Sequence, residues 1–227
     1  MGQHAGTIRT GPVRTAVFGL MAALMVMACA TIGRAQDPEG VRLSPEAAGG
    51  SQRVTAAGVA DWGRAHEDPG ALIMAARIVG EVPLRNQGDQ PPLLTFDGLL
   101  DEAEAMAAGY PAYLSAIEQV RGQGTRGVVS SPFGNGPIAT VKDVRARETF
   151  GFDVDARGGE ILRIAAIGDG DTNIDLVVRD AGGGLLCQDG FGDHYPVCTL
   201  MPRLTGKVRV SVVNRGEIWT KVQILSN

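Results

Sequence analysis

Asp169, Asp171, Asn173 and Asp175 alternate along the segment GDGDTNID. Oxygen atoms drawn from every second residue of a flexible loop suit calcium, a hard cation that takes roughly six to eight oxygen ligands. The spacing resembles the start of an EF-hand loop, but Ile174 and Asp180 stand where that loop needs its turn glycine and its bidentate glutamate. The favoured reading is a solvated acidic turn in which Asp169 or Asp171 accepts hydrogen bonds from backbone N–H groups. Calcium is the alternative for this loop.

Sulfur offers a second chemistry. Cys187 and Cys198 flank the loop 189–196 and fall in successive short strands, so in an oxidising compartment a disulfide is the expected state. His194 lies between them and would make a third soft ligand for zinc, but no fourth ligand is evident. The remaining cysteine, Cys29, ends the stretch Val26-Met27-Ala28-Cys29. That stretch loosely resembles a lipoprotein signal box, in which the cysteine carries the lipid.

Hydrolytic chemistry finds little support. There is no GxSxG, and His66-Glu67 lacks the second histidine of HExxH. Ser130-Ser131 sits among linker-like residues. A triad through His194 and Asp193 would need a distant nucleophile. The expectation is a non-enzyme. Among the aromatics, Tyr195 and Trp219 border turns and are the candidates for partner recognition, whereas Trp62, Tyr110 and Tyr113 fall at helical spacing and fit a core.

The elements that must position these groups begin with an export segment. No Asp or Glu precedes Asp37, Arg9 and Arg14 lead, and residues 16–32 are apolar. This is a signal-peptide layout with cleavage expected after Ala35. The protein is then periplasmic or secreted. A membrane attachment follows only if Cys29 is lipidated or the segment stays uncleaved as an anchor. Cleavage removes Arg9, Arg14 and Arg34, so the mature charge is 18 − 25 = −7. Such an acidic balance excludes nucleic acid as the main partner, because phosphate backbones demand a basic face.

Composition divides the remainder. Residues 36–52 read as a flexible lead-in, 53–123 as helical, 124–143 as a Gly-, Ser- and Pro-rich linker, and 144–227 as a β-domain. In the helical part, Asp68-Pro69 starts one helix, with Leu72, Ile73, Ala76 and Val79 on one face. Asp97 is expected to cap another that stops at Gly109, and Pro111 to open a fourth. The paired Pro-led helices suggest either a helical-hairpin repeat or a plain four-helix packing. This Ala-rich part makes a thin core and is expected to lean on the β-domain or a partner.

From residue 148 the period changes. Phe150, Phe152 and Val154 alternate, as do Leu162, Ile164 and Ala166. Further short strands are expected at 174–178, 185–187, 197–200, 208–213 and 222–225, with glycine turns between several. That pattern predicts a β-sandwich. The fold class is thus four Ala-rich helices followed by an antiparallel sandwich or jelly roll.

Residues 149–227 resemble the bacterial pre-peptidase C-terminal domain. The likeness lies in the order GEILRIAAIG, GDGDTNIDLVVRDAGGGLLCQD, TLMPRLTGKVRVSVVNRG and a last strand ending LSN. Residues 174–180, IDLVVRD, match a family strand of the form DLDLYVYD. The resemblance implies a secreted sandwich that binds, folds or localises rather than catalyses, and some relatives bind calcium. The expectation is an exported accessory protein whose sandwich engages an envelope protein or a glycan. The alternatives are a structural module that displays the helical half, and a secreted hydrolase.

Overall fold

The computed structural model describes residues 42–124 and 131–227. The expected export segment with Ala35 and Cys29, and Ser130, lie outside the described residues. Among the described residues no helix is long and apolar enough to cross a membrane.

Helix α1 (Pro45–Ala65) starts inside the stretch expected to be a flexible lead-in. Ser44 caps it, its Oγ accepting from the Ala47 amide at 3.1 Å, and Pro45 occupies the first turn, where its missing N–H costs nothing. Gly49 and Gly50 are weak helix formers and disguise this turn in the sequence. Gly49 is tolerated because the helix packs closely there. A Cβ on Gly49 would stand 3.0 Å from Val82 and 3.2 Å from Phe133.

Helix α2 (Pro69–Glu81) is capped by Asp68, whose Oδ1 accepts from the Gly70 amide at 2.8 Å, and Leu72, Ile73, Ala76 and Val79 are buried as its spacing requires. Helix α3 (Phe96–Ala107) is capped by Thr95 rather than Asp97. Asp97 instead sits in the first turn, where a carboxylate favours the helix dipole. Helix α4 (Pro111–Gly124) buries Ile117 and Val120.

Nine strands follow or interleave: β1 (Arg85–Asn86), β2 (Ile138–Val144), β3 (Thr149–Ala156), β4 (Leu162–Gly168), β5 (Ile174–Arg179), β6 (Leu185–Asp189), β7 (Val197–Leu200), β8 (Gly206–Asn214) and β9 (Thr220–Ser226). They form two sheets, β1-β2-β9-β4-β7 and β3-β8-β5-β6. Every pairing is antiparallel except the two-residue β1 with β2. The segment expected to be linker to residue 143 therefore ends early. Its Gly- and Pro-rich composition runs directly into β2, whose partner β9 lies some eighty residues onward and is invisible locally.

The described residues form a three-layer stack. Ile164, Ala166, Ile174, Leu176, Val178, Val210, Val212 and Val222 fill the space between the sheets. The other face of the β4–β9 sheet, through Ala139, Ala165, Ile167 and Leu225, shares one core with Leu72, Leu99, Leu100 and Ile117 of the helices. The thin helical core does lean on the β-domain. Strand β4 is buried on both faces, so its sequence LRIAAIG is almost continuously apolar.

Candidate functional site

Strands β6 and β7 are the free edges of opposite sheets and meet along one side of the sandwich. Cys187 and Cys198 are disulfide-bonded, with their Cα atoms 5.8 Å apart. The bond therefore staples one sheet to the other, and the zinc alternative through His194 is replaced by it. Asp189 reinforces this seam, its Oδ2 accepting from the Val197 amide at 2.7 Å.

At one end of the seam a β-bulge intervenes. Leu185 pairs with Arg179 and Cys187 with Val178, leaving Leu186 as the extra residue. A bulge re-aims its side chain, and Leu186 faces a groove of about 720 Å³ that Met201 and Leu204 also line. Leu204 is 82% exposed and Met201 53%. Arg203 and Lys207 supply positive charge beside them. Three large apolar side chains clustered in one concavity are a surface that water solvates poorly.

The acidic loop is organised differently. Asp169 Oδ1 accepts from Thr220 Oγ1 at 2.6 Å and Oδ2 from the Lys221 amide at 2.8 Å. Asp175, buried on β5, pairs with Arg215 at 2.5 Å. Asp171 is exposed, and the Asn173 Oδ1 is buried without a partner. The alternation along the chain does not bring the four together, because Asp175 belongs to a strand and Asp169 is drawn to β9. Among the described residues no three His, Cys, Asp or Glu gather to hold a metal ion.

The sequence did not anticipate a polar cluster where the helical layer meets the sandwich. His194 Nε2 lies 2.6 Å from Asp61 Oδ2, across 133 residues, so His194 turns to α1 and away from Asp193. Asp193 instead accepts from the Tyr195 amide. Arg64 bridges Asp61 at 2.6 Å and Glu102 of α3 at 2.9 Å. Burial works to raise the Asp61 pKa, but the hydrogen bonds and charges of His194 and Arg64 outweigh it and hold the carboxyl below its ordinary value. No local signal could have paired Asp61 with His194, since only tertiary packing joins them.

The aromatics are redistributed relative to expectation. Tyr195 is half-buried against the helical core rather than displayed, because the β6–β7 loop tucks under α1. Trp219 is 57% exposed. Trp62, Tyr110 and Tyr113, expected as core, lie at the surface, and Trp62 stacks on His66 with ring centroids 4.3 Å apart. The helical stripe is thinner than its spacing implied because alanines at 56, 57, 60, 75 and 76 carry the contact.

No family model and no curated protein matches the chain. Solved structures are similar to it over the sandwich. The mitogen from Yersinia pseudotuberculosis matches with a TM-score of 0.33 and 11% identity, covering 40% of this chain and 85% of that one. PliG of Aeromonas hydrophila, described as a periplasmic inhibitor of g-type lysozyme, gives 0.30 and 13%, covering 40% and 86%. A carbohydrate-binding module from Cellvibrio mixtus lichenase 5A gives 0.27 and 12%, covering 37% and 72%. At such values no function passes from them to this chain.

Proposed function

We propose that this is an exported, non-catalytic accessory protein of the bacterial cell envelope whose sandwich holds a protein partner in the seam groove. The observation that carries the reading is the clustering of Leu186, Met201 and Leu204 in one concavity. Apolar anchors in a groove with a charged rim are the usual core of a protein interface. The disulfide supports an oxidising compartment, in accord with the export segment. The likeness of residues 174–180 to the pre-peptidase C-terminal strand supports the same class of accessory module.

The test is capture from envelope extract by the purified chain and by a Met201→Asp/Leu204→Asp variant. Both side chains are exposed, so the variant folds normally, and it should lose at least about tenfold in partner affinity. An unchanged capture profile would sink the proposal. A display role is a second reading, favoured by the core that the helices share with the β4–β9 sheet. It predicts that partners engage residues of the helices and are indifferent to the groove variant.

A further inference from the structure

The sheet β3-β8-β5-β6 has two edges, and the seam guards only one of them. There β6 is bulged, and its Cys187 is bonded to Cys198 of the other sheet. The other edge is β3, an eight-residue strand, TFGFDVDA, paired with β8 without a bulge. Both flanks of β8 show which way the hydrogen bonds of β3 point. The Asn214 amide donates to the Glu148 carbonyl at 2.9 Å, and the Arg215 amide to the Asn173 carbonyl on the β5 side at 3.0 Å. Such bonding alternates along an antiparallel ladder. With Phe150 opposite Val212 and Phe152 opposite Val210, the even-numbered residues of β3 bond β8. Thr149, Gly151, Asp153 and Asp155 therefore turn their N–H and C=O groups to the open side, where among the described residues no strand lies. Exposed edges are ordinarily blunted by lysine, proline or a bulge, and β3 carries none of these.

The side chains at this edge select the strand that fits it. On the outer face, Arg209 of β8 lies over Gly151, where a Cβ would stand 2.7 Å from its Nη2, and its Nη1 reaches Asp153 at 3.1 Å. On the inner face, Phe150, Phe152 and Val154 pack on the sandwich core and are only half-buried. A second β3 running antiparallel can use the open groups only where odd-numbered residues meet odd-numbered ones. Gly151 opposite Gly151 would bring two Arg209 side chains together, and Asp153 opposite Asp153 two carboxylates. Like charges set directly opposite destabilise a strand pair. With Gly151 opposite Asp153, each Asp153 meets the guanidinium that lies over the other copy's Gly151. Thr149 then meets Asp155, Phe152 meets Phe152, and Phe150 meets Val154. In that register charge faces opposite charge and apolar faces apolar.

We propose that β3 pairs antiparallel with β3 of a second copy of this chain, Gly151 opposite Asp153, joining two four-stranded sheets into one across a two-fold axis at Phe152. The open N–H and C=O groups of Thr149, Gly151, Asp153 and Asp155 are then satisfied in both copies. The half-buried Phe152 rings meet in a non-hydrogen-bonded pair, where side chains approach most closely. This interface lies at the opposite edge of the sheet from β6 and is independent of the seam groove.

The experiment is sedimentation velocity of the purified chain from ~1 to ~200 µM, a range that spans a micromolar dissociation constant. The weight-average mass should rise with concentration toward that of a dimer. Asp153→Arg sets an arginine against Arg209 of the second copy. Asp153→Pro removes an outward N–H and no ladder bond of the single chain. Each change enters the two-fold interface twice and should weaken association about tenfold or more. Asp153→Arg/Arg209→Asp exchanges the charges and should restore it. The register is read separately by cysteine cross-linking. Thr149→Cys and Asp155→Cys should form an intermolecular disulfide when mixed and not singly, since only the mixed pair stands directly opposite. Met201→Asp/Leu204→Asp should leave the dimer intact, so that failure here and failure of the groove are separable. A mass that stays monomeric throughout, association unaltered in both Asp153 variants, cross-links no more frequent in the mixture than in either variant alone, or a dimer abolished by the groove variant would overturn the proposal.

Discussion

Arg53 shows how a single residue can tie layers together. It is a buried residue of α1, and among the described residues it forms no ion pair. Its guanidinium donates instead to the carbonyls of Leu94 at 3.2 Å, Val79 at 3.3 Å and Val82 at 2.8 Å. Two of those carbonyls belong to the C-terminal end of α2, where a cation also favours the dipole. Burial lowers its pKa to about 10, still far above neutrality, so the charge is retained. Arg53→Met should cost about 2–3 kcal/mol in urea unfolding, because three carbonyls lose their donor in a site that water does not reach. Asp61 gives a pH signature. Its folded pKa lies below the ordinary 3.8, so its stabilising contribution is complete above that value and is lost as pH falls through the lowered one. The melting temperature of the wild type should therefore drop below pH 3.8 by more than that of Asp61→Asn. Neither role was legible in the sequence. An arginine and an aspartate on an Ala-rich helix look like solvated surface until the segments carrying Leu94 and His194 pack against them.

At the level of elements, the seam and the helix contacts lend themselves to measurement. The Cys187–Cys198 bridge spans a separation of 11 residues. Loop-entropy reasoning gives it about 3 kcal/mol, so Cys187→Ser/Cys198→Ser, or reduction of the wild type, should lower stability by that order in denaturant melts. Gly63 marks the closest approach of α1 to α2, where a Cβ would stand 2.9 Å from that of Ala71 and 3.1 Å from the Asp68 carbonyl. Although alanine is the better helix former, Gly63→Ala should destabilise by about 1 kcal/mol net, because overpacking between two backbones outweighs the propensity gain. The seven strands from β3 to β9, the cap at Asp68 and the helix start at Pro111 were readable, since alternation, turn glycines, capping residues and first-turn prolines are local signals. What was hidden depended on distant partners. Strand β2 forms only because β9 offers a full seven-pair register. The first turns of α1 carry a Ser-Pro-Glu start, but Gly49 makes sense only against Val82, Phe133 and Pro137.

For the whole molecule, the β4–β9 sheet is the decisive layer, since it has one core on each side. Ala139, Ala165, Ile167 and Leu225 belong to the helical core although they are strand residues. Removing the sandwich would expose that face of the helices, and the alanines that line it bury too little area to sustain four short helices alone. The described chain should therefore unfold as one unit. Leu225→Ala opens a cavity in the shared core and should cost about 2–4 kcal/mol. The loss should register equally in the far-UV helical signal and in Trp219 fluorescence recorded in a Trp62→Phe background. Coincident transitions before and after the substitution would establish a single cooperative structure. If the helical signal alone shifted, the helices would be an attached layer with their own stability. The contact between Asp61 and His194 would then open by local separation while the seam groove stayed intact.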